Sequence, residues 1–329
     1  MAIVNNIKAV TDALDSAMER HKNVVVFGED VGTEGGVFRA TQGLQAKYGA
    51  ERCFNAPISE AMFAGVGLGM AMNGMKPVVE LQFEGLGLPA LQNIMANISR
   101  MRNRSRGKYT APMVIRTPMG GGIRALEHHS EALEAVFAHT PGVQVVCPST
   151  PYDIRGLLLA AIESPDPVIF LEPTKLYRAF KQEIPDDYYT IPIGEGYKIQ
   201  EGNDITVVTY GAQTVDCQKA VQMLKESHPN ATVDLIDLRS IKPWDKKMVV
   251  ESVKKTGRLL VVHEAVKSFS VSAEIMASVN EECFEYLKAP LARCTGYDVV
   301  TPYDRGENYF QTSPLKVLVK MKELLDYKF

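Results

Sequence analysis

The sequence lacks the features that mark several classes of protein. Its five cysteines are an odd number, widely scattered and without a C-x-x-C pair, which argues against a disulfide framework or a zinc knuckle. The longest uncharged apolar stretch, residues 61–75, is too short to cross a bilayer as a helix. The first residues lack the charged and then apolar pattern of a signal peptide. Together these absences predict a cytoplasmic protein with reduced thiols and no membrane span.

The chain also lacks an excess of charge. A formal net charge of −3 gives no general attraction to nucleic acid or to an anionic membrane. Hydrophobic residues make up 46% of the chain and charged residues 23%, a composition typical of folded proteins. With 329 residues, the chain is long enough for two domains. Segment 100–109 is strongly basic, but no stacking aromatic residues interleave its cations. We therefore interpret it as a solvated helix end or a subunit contact.

Short valine- and isoleucine-rich runs alternate with helical patterns in the first half. The runs predict buried strands at 24–27, 78–81, 113–115, 143–146 and 168–171, and the helical patterns lie at 5–20, 59–73, 88–102, 131–139 and 152–163. Such alternation predicts an α/β fold with a doubly wound, mostly parallel sheet. Residues 172–192 show no periodicity, and the alternation then restarts, with helices predicted near 246–256 and at about 314–325. We therefore predict domains at 1–190 and 191–329.

A glutamate stands at the start of an unusual predicted helix. Ser59 is a plausible N-cap, and Glu60 in the first turn suits the helix dipole. Residues 61–73 carry no charge, and Gly65 and Gly69 recur at i, i+4 spacing, which costs helix propensity and indicates a close backbone approach. A helix that is apolar all round is buried, and burial raises the pKa of a carboxyl group. Glu60 is therefore either a structural first-turn acid or a proton donor and acceptor.

Two further segments carry candidate chemistry. Glycines 120–122 follow a predicted strand and lead to His128 and His129. The two histidines therefore lie beyond the carboxyl end of a parallel strand, which is where open sheets bind their ligands. Adjacent histidine side chains diverge and no third ligand is evident, so acid–base chemistry is favoured over metal binding. Glu29 lies at the end of the first predicted strand and is, after Glu60, the second candidate carboxylate at this edge of the sheet. The glycines of segment 65–76 fit neither the phosphate-loop nor the dinucleotide-binding spacing.

Many motifs then match one family in the family's own order. They are FGEDVG at 27–32, GGVFRAT at 35–41, PISE at 57–60, ELQF at 80–83, TPMGGG at 117–122, HS at 129–130, PSTPYD at 148–153, IKPWD at 241–245 and KTGR at 255–258. The sequence resembles the beta subunits of thiamine-diphosphate-dependent 2-oxo acid dehydrogenases, above all those of the pyruvate dehydrogenase (acetyl-transferring) component. The branched-chain and acetoin relatives are more loosely similar.

The resemblance implies a fold, a cofactor and a partner. The expected fold is a pyrimidine-binding-type domain followed by a smaller transketolase C-terminal-like α/β domain. The expected assembly is an α2β2 heterotetramer with thiamine diphosphate at each interface between alpha and beta subunits. The beta chain would grip the aminopyrimidine, and the alpha chain would hold the diphosphate through Mg²⁺. In agreement, the sequence has no Gly-Asp-Gly motif with a downstream asparagine, the usual metal–diphosphate signature.

The resemblance also implies roles for individual residues. Glu60 would hydrogen-bond the pyrimidine ring nitrogen. His129 would lie near the thiazolium, orient the substrate and supply a proton during transfer to the lipoyl disulfide. Phe83 would lie near the pyrimidine, and Leu86 stands where many relatives pack an aromatic ring on it. Glu29 would belong to a water-filled acidic channel that links two cofactors.

Two features depart from the family's pattern. Pro89 stands where some relatives carry another channel acid, which argues against a continuous chain of acids. A structural potassium site in relatives matches five positions of this chain, the backbone carbonyls of Met113, Ala161 and Ile162 and polar groups of Ser164 and Asp166. At position 164 relatives usually have an aspartate.

The leading hypothesis is an enzyme subunit. It would take part in oxidative decarboxylation of pyruvate and acetylation of the lipoyl domain of a dihydrolipoyl acetyltransferase. The alternative within enzymes is a branched-chain or acetoin dehydrogenase beta subunit. A non-catalytic scaffold would not need the intact Glu60 and His129. A domain that binds another nucleotide through glycines 120–122 would be expected to carry a phosphate-loop or dinucleotide-binding motif. The glycine spacing of the chain fits neither motif.

Overall fold

The structure, a computed structural model, describes residues 1–328, and these divide into two compact units. The first comprises residues 1–123 and 128–193, and the second comprises residues 124–127 together with the residues from Gly194 onward. The division into independently folding domains at residues 190 and 191 stays a prediction. Within residues 1–328, no helix combines the length and the apolar character needed to traverse a bilayer.

The first unit alternates strands with helices. Its elements are β1 (Ala2–Val4), α1 (Asn6–Arg20), β2 (Val24–Gly28), α2 (Leu44–Tyr48), β3 (Cys53–Asn55), α3 (Glu60–Met72), β4 (Lys76–Glu80), α4 (Leu91–Ala96), α5 (Met101–Arg104), β5 (Val114–Met119), α6 (Glu134–Ala138), β6 (Gln144–Val146), α7 (Pro151–Glu163), β7 (Val168–Pro173) and β8 (Gln182–Ile184). Short 3₁₀ turns lie at Gly85–Ala90, Ile98–Arg100, Glu127–His129 and Thr174–Leu176.

A parallel sheet forms the centre of this unit. Its strands run in the order β6-β7-β5-β4-β2-β3, and every adjacent pair is parallel. All residues of β2, β5 and β7 are buried, as expected for strands covered on both faces. The predicted doubly wound α/β fold is therefore confirmed. β1 and β8 form a separate antiparallel pair that the sequence pattern did not predict.

The second unit is a smaller sheet with helices. Its elements are β9 (Tyr197–Gln200), β10 (Ile205–Thr209), α8 (Gln213–Ser227), β11 (Val233–Asp237), β12 (Ser240–Lys242), α9 (Lys246–Thr256), β13 (Leu259–Val262), α10 (Val271–Cys283), β14 (Ala292–Cys294), α11 (Glu307–Phe310) and α12 (Pro314–Leu325). Five strands pair in the order β14-β13-β10-β11-β9, and β9 alone is antiparallel to its neighbour. The amphipathic α12 packs its apolar face, which includes Val317 and Met321, into this unit's core.

One predicted helix of the first unit is broken. Residues 88–102 form the end of a 3₁₀ turn, α4, a second 3₁₀ turn and α5 rather than a continuous helix. Pro89 lies inside the first turn and has no backbone N–H to donate. At Asn97 the backbone leaves the helical region, with φ −123° and ψ −62°. The predicted helix at 88–102 is therefore wrong as a continuous element, since the spacing of apolar residues does not reveal these interruptions.

A buried carboxylate links two layers of the second unit. Asp234 on β11 is fully buried and accepts a hydrogen bond of 2.6 Å from the Ser252 hydroxyl. The ammonium groups of Lys255 and Lys198 lie 2.9 and 3.5 Å from the same carboxylate oxygen. Burial opposes ionisation, but these donors outweigh it and hold the pKa of Asp234 below its usual value of 3.8. The ionised form therefore stabilises the folded unit.

We expect Asp234→Asn to lower the free energy of unfolding near neutral pH by about 1–3 kcal/mol, since it removes the charge that Lys255 and Lys198 face. Because the folded-state pKa is depressed, this contribution is complete above about pH 3.8 and is lost as the pH falls through the folded-state value. Urea unfolding followed by the fluorescence of Trp244, the single tryptophan, measures it. Asp326→Asn, at an exposed acid, is the control, and equal losses in both variants would contradict the assignment.

Candidate active site

The predicted site residues follow four neighbouring strands at one edge of the first unit's sheet. Glu60 follows β3, Glu29 follows β2, Phe83 follows β4 and His129 follows β5. In the sheet these strands lie side by side in the order β3-β2-β4-β5, with adjacent parallel strands ~4.8 Å apart. The chain turns to opposite sides after β2 and β4, so a topological switch point, where open sheets bind ligands, lies between Glu29 and Phe83.

Aromatic packing fixes the start of α3. Phe27 of β2 stacks on Phe54 of β3 at 5.3 Å between ring centroids and meets the edge of Phe63 of α3 at 6.4 Å. Ser59 occupies the N-cap position as predicted, but its side chain makes no capping hydrogen bond. The first turn of α3, which begins with Glu60, therefore keeps N–H groups that are open to an acceptor.

The prediction that α3 is buried on all sides is wrong for this chain. Phe63 and Leu68 face the core, but Val66 and Met72 are each 39% exposed. Glu60 at the helix start is half-buried rather than buried. α3 therefore leaves part of its apolar surface exposed in this chain.

The glycines of α3 differ in what they approach. A Cβ at Gly67 would lie 2.7 Å from the terminal methyl group of Met113 and 3.0 Å from a methyl group of Val79, so α3 approaches the sheet closely at this glycine. A Cβ at Gly65 would meet the Asn93 amide at 3.3 Å, and this amide donates a hydrogen bond of 2.7 Å to the Ala61 carbonyl. At Gly69 nothing lies within 4 Å. The predicted close approach is therefore confirmed at Gly65 and wrong at Gly69, while Gly67 makes a close approach that was not predicted.

Glu29 lies in an acidic neighbourhood. Burial raises the pKa of its carboxyl group, and the nearby carboxylates of Asp30 and Glu60 raise it further. Asp30 has a left-handed backbone (φ 57°), which directs the chain sharply away from β2. The predicted acid Glu60 is thus close enough to Glu29 to influence the ionisation of Glu29.

His129 packs directly on Phe83. Their ring centroids lie 4.3 Å apart in an edge-to-face arrangement, and Phe83 is buried. A Cβ at Gly85 would lie 2.5 Å from the His128 carbonyl oxygen and 2.9 Å from its Cα. Glycine at position 85 thereby lets the segment after β4 approach the histidine pair. Leu86, in the 3₁₀ turn that begins at Gly85, is half-buried.

A buried ion cluster behind this edge did not emerge from the sequence analysis. The Arg116 guanidinium forms two parallel hydrogen bonds to the Glu172 carboxylate, at 2.7 and 2.9 Å, and a third to Glu80. The Tyr177 hydroxyl donates to the same Glu172 carboxylate at 2.7 Å. Burial raises the pKa of Glu80, against the opposing pull of Arg116. Removing one partner of such a cluster leaves an uncompensated buried charge.

Aromatic rings connect this ion cluster with His129. The Tyr177 ring centroid lies 4.9 Å from that of Phe38, and Phe38 lies 5.5 Å from Phe83. Phe83 in turn contacts His129. The Arg178 guanidinium also donates a hydrogen bond of 3.1 Å to the Phe38 carbonyl. The Phe83 ring, which packs on His129, is therefore held in place by residues from the interior of the unit.

The residues expected to bind potassium lie at the opposite end of the strands. Met113 directly precedes β5, Ala161 and Ile162 lie in the last turn of α7, and Ser164 and Asp166 precede β7. All five therefore flank the amino-terminal edge of the sheet. An ion there would act on the fold rather than on the chemistry of Glu60 and His129.

Two family descriptions match most of the chain. "Transketolase, pyrimidine binding domain" matches residues 3–179, and "Transketolase, C-terminal domain" matches residues 194–317. The chain is also similar in fold to a solved structure titled "Split gene transketolase, inactive beta4 tetramer", with a TM-score of 0.79, 21% identity and coverage of 99% of both chains. At this identity the similarity concerns the fold alone.

Curated relatives match along almost the full length. A protein of Mycoplasma genitalium named "Pyruvate dehydrogenase E1 component subunit beta" is 57% identical over 98% of both chains. Proteins with the same name from Acholeplasma laidlawii and Bacillus subtilis are 51% and 42% identical, over at least 98% of each chain. Similarity of this extent covers both units and all motifs of the candidate site.

Proposed function

Because the chain belongs to the family of pyruvate dehydrogenase E1 component beta subunits, we propose that it is one half of this oxidoreductase. It would hold the aminopyrimidine of thiamine diphosphate and complete the active site with an alpha subunit in an α2β2 heterotetramer. The observation that carries the proposal is the alignment of Glu60, Glu29, Phe83 and His129 along one sheet edge at the switch point.

The residues at this edge suit the aminopyrimidine ring. Glu60 supplies a carboxylate for a ring nitrogen, while buried Phe83 supplies an apolar wall. The same edge is poorly suited to a diphosphate, since Glu29, Asp30 and Glu60 gather negative charge there. This charge supports the proposal that the alpha subunit holds the diphosphate, through Mg²⁺.

Thiamine diphosphate supplies the carbon nucleophile and the electron sink that decarboxylation of a 2-oxo acid requires. In the proposed enzyme Glu60 shares a proton with the pyrimidine ring nitrogen and so controls the protonation of the exocyclic amine. His129 orients the substrate carboxylate. When the acetyl group passes to one sulfur of the lipoyl disulfide, His129 supplies the proton that the other sulfur takes up.

The exposed face of α3 supports the partnership. Val66 and Met72 leave apolar surface uncovered along α3, the helix that begins with the proposed catalytic glutamate. Association with an alpha subunit would bury such a surface and desolvate Glu60, which strengthens its interaction with the cofactor. The dihydrolipoyl acetyltransferase, through its lipoyl domain, is the proposed acceptor of the acetyl group.

The proposed substrate is tested with the chain assembled with its alpha subunit. We expect decarboxylation of pyruvate to exceed that of 2-oxoisovalerate in kcat/KM by about tenfold or more, because each extra carbon must fit a pocket shaped for a methyl group. Initial rates with an artificial electron acceptor measure both substrates without the acyltransferase. Preference for 2-oxoisovalerate would refute the pyruvate assignment and favour a branched-chain dehydrogenase.

A further inference from the structure

The segment that joins α7 to β7 is closed by hydrogen bonds of the Ser164 side chain. Ser164 Oγ accepts a hydrogen bond of 3.1 Å from the Asp166 amide. The same hydroxyl group lies 2.9 Å from the Asp166 carbonyl oxygen and 3.0 Å from Gln144 Oε1, and it can donate a hydrogen bond to either oxygen. The Ser164 amide donates to the Ala160 carbonyl at 2.9 Å, which completes the end of α7. The hydroxyl is therefore engaged as both donor and acceptor.

Arg102 forms an ion pair with Asp166, the acidic residue of this segment. Its Nε lies 2.7 Å from Asp166 Oδ1 and its Nη2 lies 3.0 Å from Oδ2, the two-pronged geometry that a guanidinium forms with a carboxylate. Both carboxylate oxygens thus receive a donor. The Met113 carbonyl accepts a hydrogen bond of 3.0 Å from the Val168 amide, so a third residue of the expected potassium site is also hydrogen-bonded within the protein.

The net charge of the segment also argues against a potassium site. Asp166 contributes one negative charge and Arg102 one positive charge, so the pair is neutral. An aspartate at position 164 would add a second negative charge and attract a cation, but serine adds none. A potassium ion here would also face the Arg102 guanidinium at short range. The oxygens and charges present therefore fit an ion pair and do not fit a potassium site.

We propose that the Arg102–Asp166 ion pair replaces a monovalent cation in closing the segment between α7 and β7. The pair lies beside a cavity of about 540 Å³ that Arg102, Gln144 and Asp166 help to line. The inference is independent of the proposed function, since it concerns the opposite edge of the sheet.

Hydrogen exchange in the assembled enzyme tests this proposal. Amide exchange of residues 160–170 is measured by mass spectrometry in potassium chloride and in choline chloride at equal ionic strength. We expect equal rates in the two salts for the unmodified chain. Slower exchange in potassium alone would overturn the proposal, and this comparison requires no variant.

Three variants sharpen the test. Arg102→Gln should speed exchange of this segment about two- to fivefold in both salts, the range expected for a partly exposed ion pair. Arg104→Gln is the matched control, because within residues 1–328 the Arg104 side chain hydrogen-bonds only that of Asn97, at 3.4 Å. Exchange of residues 160–170 should not change in this variant. Ser164→Asp should make exchange slower in potassium than in choline. Unchanged exchange in Arg102→Gln, or a Ser164→Asp chain indifferent to potassium, would contradict the proposal.

Discussion

Glu60→Gln should nearly abolish decarboxylation of pyruvate, lowering kcat by about 10²–10⁴-fold while the subunits still assemble. A glutamine at this position can still donate a hydrogen bond, but it cannot exchange a proton with the pyrimidine ring nitrogen. The neighbouring packing of Phe63 and the first turn of α3 is unaffected by this nearly isosteric change. Single-turnover release of carbon dioxide from pyruvate measures the effect, and size-exclusion chromatography verifies assembly.

Glu34→Gln is a suitable control for this variant. Glu34 is an exposed acid that contacts the Asn55 amide at 3.0 Å at the end of β3, so it lies near the same sheet edge without a proposed role. Its substitution should leave kcat unchanged. If Glu60→Gln retained full turnover, Glu60 would be only a first-turn acid that suits the dipole of α3.

His129→Ala should slow acetylation of the lipoyl domain by about 100-fold or more, at least as much as it slows decarboxylation. Loss of the imidazole removes the proposed proton donor to the leaving sulfur. The two steps are separated by measuring decarboxylation with an artificial electron acceptor and acetyl transfer with a free lipoyl domain.

The contact between His129 and Phe83 makes a second variant necessary. Alanine leaves a gap beside the buried Phe83 ring, so a general loss of packing would slow both steps together. His129→Asn restores part of the volume without the titratable ring, and His128→Ala tests the neighbouring histidine. Unchanged acetyl transfer in both His129 variants would remove this residue from the mechanism.

Helix limits were predictable where local chemistry marks them. The predicted α9 matches Lys246–Thr256, with the Asp245 side chain as N-cap and Gly257 in the left-handed conformation at its end. The predicted α12 also matches, since Ser313 caps it and Pro314 opens it. Both signals depend only on residues adjacent in sequence.

Features that depend on distant pairing were not predictable. β1 and β8 are three residues each, too short for a period to be visible, and Ile3 finds its partner only at Glu183. The ion cluster shows the same limit. Glu80, Arg116 and Glu172 each end an apolar strand run, yet their meeting depends on the order β4-β5-β7, which the sequence does not state.

The candidate site was predictable in part. Because alternating strands and helices form a parallel sheet, residues that follow its strands were expected at one edge, and the structure places Glu29 and Glu60 there. The exposure of α3 was predicted wrongly because an uncharged helix looks the same whether its own chain or another chain covers it. The sequence pattern reports that a surface is apolar, but not which molecule lies against it.

The central claim is that this chain carries half of a shared active site. The most direct test is thiamine-diphosphate-dependent decarboxylation of pyruvate by the isolated chain, by its isolated alpha subunit and by their mixture. The account predicts activity only in the mixture, because Glu60 and His129 lie on one chain and the diphosphate site on the other. Full activity of the isolated chain would contradict it.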